Sequence, residues 1–124
     1  MKPKATTAAI LFAAWIALAS AGAASAANYV TASAGQQNAW TDPIVIMDRV
    51  HGGVGQLNVS ISGTWAGTVT LQRSFNQGTT YHDVETWTSN AEEQLWDLEA
   101  DVYYRIGVAT GDYTSGTAVL RLSK

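Results

Sequence analysis

From Leu57 onward, apolar and polar residues alternate one by one. Leu57, Val59 and Ile61 interleave with Asn58, Ser60 and Ser62, which gives an extended segment one apolar and one polar face. Val69, Leu71 and Arg73 interleave with Thr68, Thr70 and Gln72 in the same way. Val102, Tyr104, Ile106 and Val108 share a face opposite Tyr103 and Arg105, and Ala118, Leu120 and Leu122 do so opposite Val119 and Arg121. These four period-2 segments predict strands, and fainter patterns at 29–33, 44–47, 83–87 and 94–98 predict four more. Turn chemistry separates them: Thr41-Asp42-Pro43, Gly52-Gly53, Ser62-Gly63, Asn76-Gln77-Gly78 and Thr110-Gly111-Asp112.

Short strands with frequent turns and no helical periodicity predict an all-β fold. The expectation is an immunoglobulin- or fibronectin-III-like antiparallel β-sandwich of seven or eight short strands; a jelly roll or small barrel meets the same pattern. The spacing of Leu98 and Tyr104, followed by Ile106 and Val108, resembles the tyrosine corner of fibronectin-type sandwiches. That resemblance implies a Tyr104 hydroxyl bonded back to upstream backbone.

The start of the chain is different. Lys2 and Lys4 are followed by no charged residue until Asp42, and residues 8–19 (AAILFAAWIALA) are continuously apolar. Small residues follow, with an A-x-A site at Ala24-Ser25-Ala26. Basic start, apolar centre and small-residue end predict a secretory signal peptide over residues 1–26 and one domain over 27–124. An uncleaved anchor helix is the alternative. Cleavage predicts a mature protein in the periplasm or medium, without stable membrane insertion.

Cleavage also changes the charge. Seven basic residues become five against ten acidic ones, a net charge of −5, which argues against a nucleic-acid partner. With no cysteine, neither a disulfide nor a thiolate metal site is available. Stability has to come from the core of a body of about 100 residues, a size that folds on hydrophobic burial alone.

Catalytic chemistry finds little support. His51 precedes Gly52-Gly53 in a predicted loop, and His82 adjoins Asp83, but adjacent strand residues point to opposite faces. Ser74 lacks a nucleophile-elbow context. The acidic residues Glu92, Glu93, Asp97, Glu99 and Asp101 match no calcium-loop spacing and read as a solvated edge that deters aggregation. Asn58-Val59-Ser60 fits a glycosylation sequon, but strand alternation explains it. No catalytic residue, metal or cofactor is assigned.

Tryptophan makes the better case for binding. Trp40, Trp65, Trp87 and Trp96 all fall in the predicted domain, where one or two should be core. Trp65, between Gly63 and Gly67, is expected at a loop tip; a plug over the end of the sandwich is the competing reading. Trp87 shares strand parity with Asp83 and Glu85 and is expected to face outward. Trp65, Trp87 and Trp40 are therefore the candidate contact residues, either for protein partners or for sugar rings.

Two resemblances complete the reading. Ser74-Phe75-Asn76-Gln77-Gly78-Thr79-Thr80-Tyr81 resembles the Asp-box hairpin S-x-D-x-G-x-T-W, with Asn76 in place of the acid and Tyr81 in place of the indole. Such a box is structural: a short polar side chain caps the turn amides, Gly78 supplies a positive φ, and the aromatic covers the hairpin. More broadly, residues 57–124 resemble small β-sandwich structural proteins of tailed bacteriophages and prophages. The likeness rests on GTVTLQRS at 67–74, the hairpin to Tyr81, Tyr104-Arg105, and Tyr113-Thr-Ser-Gly116 with Arg121-Leu122-Ser123. It implies a virion-associated role, such as decoration or an accessory part, that works through protein–protein assembly. An exported carbohydrate- or surface-binding module is the alternative. An export signal departs from the phage pattern. A domesticated domain, a phage protein sent to the envelope, and a helix that is not a signal are the three explanations.

Overall fold

A computed structural model of the chain describes residues 28–46 and 55–124. The expected signal or anchor segment at 1–26 lies outside the described residues, as do His51 and the Gly52-Gly53 turn. The described residues form strands β1 (Tyr29–Ala34), β2 (Ala39–Trp40), β3 (Ile44–Ile46), β4 (Gln56–Gly67), β5 (Val69–Ser74), β6 (His82–Trp87), β7 (Ala91–Trp96), β8 (Val102–Val108) and β9 (Tyr113–Ser123). No helix among them is long and apolar enough to cross a membrane.

The strands make two antiparallel sheets. One has the order β1-β9-β4-β7; the other has the order β2-β8-β5-β6, with β3 also paired to β8. β2 and β3 follow one another along β8, with Trp40 opposite Gly107 and Ile44 opposite Tyr104. Pro43, which has no N–H to give, falls in the break between them. Thr41 spans the gap: its N–H donates to the Ile106 carbonyl at 2.9 Å, and its hydroxyl accepts from the Ile106 N–H at 3.2 Å.

The all-β, two-sheet architecture is present, but its strand order is not the immunoglobulin one. There the first two strands lie side by side in one sheet. Here the first strand pairs with the last, and the chain crosses repeatedly between sheets: β1, then β2 and β3 opposite, β4 back, β5 and β6 opposite, then β7, β8 and β9 in turn. This is the wrapping of a jelly roll. Strand alternation specifies faces, and both arrangements bury one face of every strand, so periodicity does not distinguish them.

The alternation does locate the core. Leu57, Val59 and Ile61 on β4, Leu120 and Leu122 on β9 and Val30 on β1 are buried. Val69 and Leu71 on β5, with Val102, Tyr104, Ile106 and Val108 on β8, are buried in the same cluster. Removing this apolar surface from water is the main stabilising term in a chain without cross-links.

The two ends of the sandwich differ. At the near end β1 begins, β4 begins, and β5, β7 and β9 finish. At the far end pairing with β7 stops at Ile61 and pairing with β1 stops at Ala118, yet β4 and β9 stay paired to Gly67 and Tyr113. β4 and β9 therefore run past the sheet as a two-stranded ribbon.

Candidate binding surfaces

The three tryptophans singled out by sequence are all engaged with the protein. Trp65 is not at a loop tip. It lies within β4 on the ribbon, opposite Gly116, on the core-facing side set by Leu57, Val59 and Ile61. It is half-buried against the core, and its Nε1 donates to Asn90 Oδ1 at 2.7 Å. Asn90 Nδ2 in turn donates to the Gly63 carbonyl at 3.0 Å. Gly63 and Gly67, which read as turn punctuation, have φ of 96° and 138° inside the strand, where L-residues are strained.

Trp87 does not face outward. It is 8% exposed and belongs to the core. Leu71 stands opposite Glu85 and Gln72 opposite Asp83, so Val84 has no partner and forms a bulge. One extra residue reverses the parity of the strand beyond it. Asp83 and Trp87 accordingly lie on opposite faces, and Trp87 Nε1 donates to Glu93 Oε1 at 3.1 Å.

Trp40 lies on the outer face of the second sheet, half-buried. A Cβ at Gly107 would come within 2.6 Å of the indole, so the ring crosses a position that only glycine leaves open. The Arg105 guanidinium sits between two aromatic rings, 4.2 Å from Trp40 and 3.9 Å from Tyr81. Arg105 Nε donates to Gln72 Oε1 at 2.9 Å, and Gln72 Nε2 donates to Asp83 Oδ1 at 2.8 Å. Burial lowers the Arg105 pKa, with Tyr81 opposing, and burial raises that of Tyr81. This stack is filled by its own members.

Tyr81 closes the hairpin. Ser74 Oγ, fully buried, accepts from the N–H of Gly78 at 2.8 Å and of Asn76 at 3.3 Å, and donates to Asn76 Oδ1 at 2.8 Å. Asn76 Oδ1 also accepts from the Thr80 N–H at 2.8 Å, and Asn76 Nδ2 donates to Thr80 Oγ1 at 3.2 Å. Gly78 has φ of 86°. The loop is thus a self-contained polar network that anchors Tyr81 against Arg105.

The tyrosine-corner expectation is corrected at both residues. Leu98 is 65% exposed, while Tyr104 is 4% exposed and donates to the Asp97 carboxylate, not to upstream backbone. β7 ends at Trp96, and the Asp97 N–H donates to the Gly55 carbonyl at 2.7 Å. That bond turns the Asp97 side chain toward Tyr104 and Arg73, whose Nη1 lies 3.6 Å away, and Leu98 turns out to solvent.

The acidic residues are dispersed as well. Glu93 meets Trp87, Asp97 meets Tyr104, and Glu92 lies on the outer face of the first sheet. Among the described residues no three His, Asp or Glu side chains gather in a metal-binding group.

That outer face carries a groove of about 460 Å³, lined by Asn58, Ser60, Glu92, Gln94, Arg121 and Ser123 together with Val59 and Glu93. Register explains the gathering. Tyr29, Ser123, Asn58 and Gln94 form one cross-strand row, and Thr31, Arg121, Ser60 and Glu92 form the next. Ser60 Oγ donates to Glu92 Oε1 at 2.9 Å, and Arg121 stacks 4.5 Å from the Tyr29 ring centroid. Trp96, opposite Gln56, follows Gln94 on the same face and is 57% exposed. Alternation along each strand marks these positions only as the polar, solvated side. Their convergence depends on strand order, which periodicity does not carry.

No family model matches the chain, and no curated protein or solved structure matches it either.

Proposed function

We propose that the protein is a non-catalytic structural or accessory domain of the kind found among tailed-phage virion proteins, acting through protein–protein assembly. Supporting this are the likeness of residues 57–124 to such proteins and the jelly-roll strand order, a wrapping used by viral capsid and lectin domains alike. Fold alone does not carry a function. The strongest support is one sheet edge, β1.

A sheet edge offers unpaired N–H and C=O groups to other chains, and proteins ordinarily blunt it. Among the described strands, three of the four sheet edges are blunted. β7 carries Glu92 and Glu93, one on each face, β6 is bulged at Val84 between Asp83 and Glu85, and the β2–β3 edge is interrupted at Pro43. β1 has none of these devices. Its six residues, Tyr-Val-Thr-Ala-Ser-Ala, carry no charge or proline and run in unbroken register with β9. Such an edge accepts a strand from a neighbouring subunit. Export by the segment at 1–26 belongs to the same proposal, as does the absence of a nucleic-acid partner.

The test is light scattering during size exclusion over a wide concentration range. Thr31→Lys with Ser33→Lys places charge on two outward positions of β1 without touching the core. The wild type should assemble and the variant should be monomeric with an unchanged unfolding midpoint. A wild type that is monomeric at every concentration, or a variant that assembles equally well, rejects β1 as the pairing edge.

A further inference from the structure

We infer that the groove on the outer face of the β1-β9-β4-β7 sheet is a saccharide-binding site, with Trp96 as its stacking platform. The inference uses a different surface from the β1 edge and stands independently of assembly.

The lining chooses among ligand classes. Val59 is the one apolar residue along it and its side chain is buried in the core, so an aliphatic or aromatic ligand would gain little. Arg121 shares this face with the Glu92 carboxylate, while Glu93 turns to the opposite face and accepts from Trp87, so a phosphate or sulfate would meet one carboxylate for one guanidinium. A polyhydroxylated ring meets neither obstacle. Its hydroxyls both donate and accept, which matches a surface where Glu92 accepts, Arg121 donates, and Asn58, Gln94, Ser60 and Ser123 do both.

The polar groups are also held in place. Gln56 Nε2 donates to Asn58 Oδ1 at 3.2 Å, Ser60 Oγ fixes Glu92, and the Tyr29 ring supports the Arg121 guanidinium. Among the described residues no carboxylate lies within ion-pair range of Arg121. Trp96 supplies what hydrogen bonds alone do not. Sugar hydroxyls are well solvated by water, and a net gain needs the apolar C–H face of the ring to leave water against a flat surface. Trp96, 57% exposed and two residues beyond Gln94 along β7 on the same face, provides that surface next to the lining. A volume of about 460 Å³ is within the range of small-molecule sites. Because the groove is open, contact is one-sided, and binding is expected to be weak and additive along a chain of sugars.

The experiment is a ¹⁵N chemical-shift titration of the domain with cellohexaose, maltohexaose and chitohexaose, each taken separately to millimolar concentration. At least one should give saturable shifts centred on Asn58, Ser60, Gln94, Arg121 and the Trp96 indole N–H. Trp96→Ala should raise the dissociation constant by tenfold or more. Arg121→Gln should weaken binding more than Trp40→Ala, which alters the opposite sheet. Unchanged spectral dispersion and unfolding midpoints in the variants separate lost binding from lost structure. No saturable shift with any of the three hexasaccharides overturns the inference. So do shifts confined to the β2-β8-β5-β6 face, or an affinity indifferent to Trp96.

Discussion

The hydroxyl of Tyr104 donates a 2.6 Å hydrogen bond to Oδ2 of Asp97, joining β8 to the end of β7 at the near end of the sandwich. Burial, and then the bond to Asp97, push the Tyr104 pKa up to about 12. An unfolded tyrosine titrates near 10. Between about pH 10 and 12 the unfolded chain therefore releases a proton that the folded chain keeps, and stability falls as pH rises. The stabilisation linked to this proton is complete below about pH 10 and is lost as pH climbs through the folded value. Tyr104→Phe has no such proton, so its stability should decline less steeply over this window. Tyr81, also raised by burial, contributes equally to both proteins. Urea unfolding of each from about pH 9 to about pH 12 measures the difference, and parallel declines would contradict the assignment.

The hairpin yields a test of its Asp-box likeness. Asn76 Oδ1 accepts from the Ser74 hydroxyl and the Thr80 N–H, a task a carboxylate performs equally well. Only the 3.2 Å bond from Asn76 Nδ2 to Thr80 Oγ1 needs the amide, and the Thr80 hydroxyl can reverse its role. Asn76→Asp should therefore leave stability within about 0.5 kcal/mol, whereas Asn76→Ala should cost about 1 to 2 kcal/mol. Thermal unfolding of both variants gives the comparison. Equal losses would mean that the amide donor, not the acceptor oxygen, organises the turn.

What was legible in the sequence follows from what a period-2 pattern encodes. Leu57, Val59, Ile61, Leu71, Ile106, Leu120 and Leu122 were readable as core because one face of each strand must be buried, and each is 2% exposed or less. Parity failed where the strand is irregular. The bulge at Val84 placed Trp87 on the wrong face, and the positive-φ glycines at 63 and 67 made a continuous strand look like a loop around Trp65. Strand order was not legible, because it is decided by which edges meet across the sandwich. The groove was hidden for the same reason: Asn58, Gln94 and Arg121 are far apart in sequence and become neighbours only through β4 pairing with both β7 and β9.

Trp65 should matter for folding. It packs on the core from the β4–β9 ribbon and bonds Asn90, so Trp65→Ala removes both buried area and a partner for Asn90 Oδ1. The expected loss is about 2 to 3 kcal/mol, below that of a fully buried tryptophan because the ring keeps some access to water. Assembly through β1 should be unaffected at temperatures where the variant is folded. Denaturant titration together with light scattering reads both quantities. A stable variant that no longer assembles would return Trp65 to the role of a contact residue.

Trp87 separates burial from hydrogen bonding at a single position. Its ring fills the interior beside the β6 and β7 edges at 8% exposure, and its one polar atom reaches Glu93 Oε1 at 3.1 Å. Trp87→Phe keeps most of the apolar volume and removes the donor. Glu93 retains contact with water on its edge strand, so this loss should be about 1 kcal/mol. Trp87→Ala also empties the site and should cost about 3 to 5 kcal/mol. Glu93→Gln keeps an acceptor for the indole and should change little. In a double-mutant cycle, Trp87→Phe and Glu93→Ala should couple by about 0.5 kcal/mol or more, since neighbours in one hydrogen bond are not independent. If Trp87→Ala is no more disruptive than Trp87→Phe, the ring contributes no packing. The bulge at Val84 would then have been assigned a consequence it does not have.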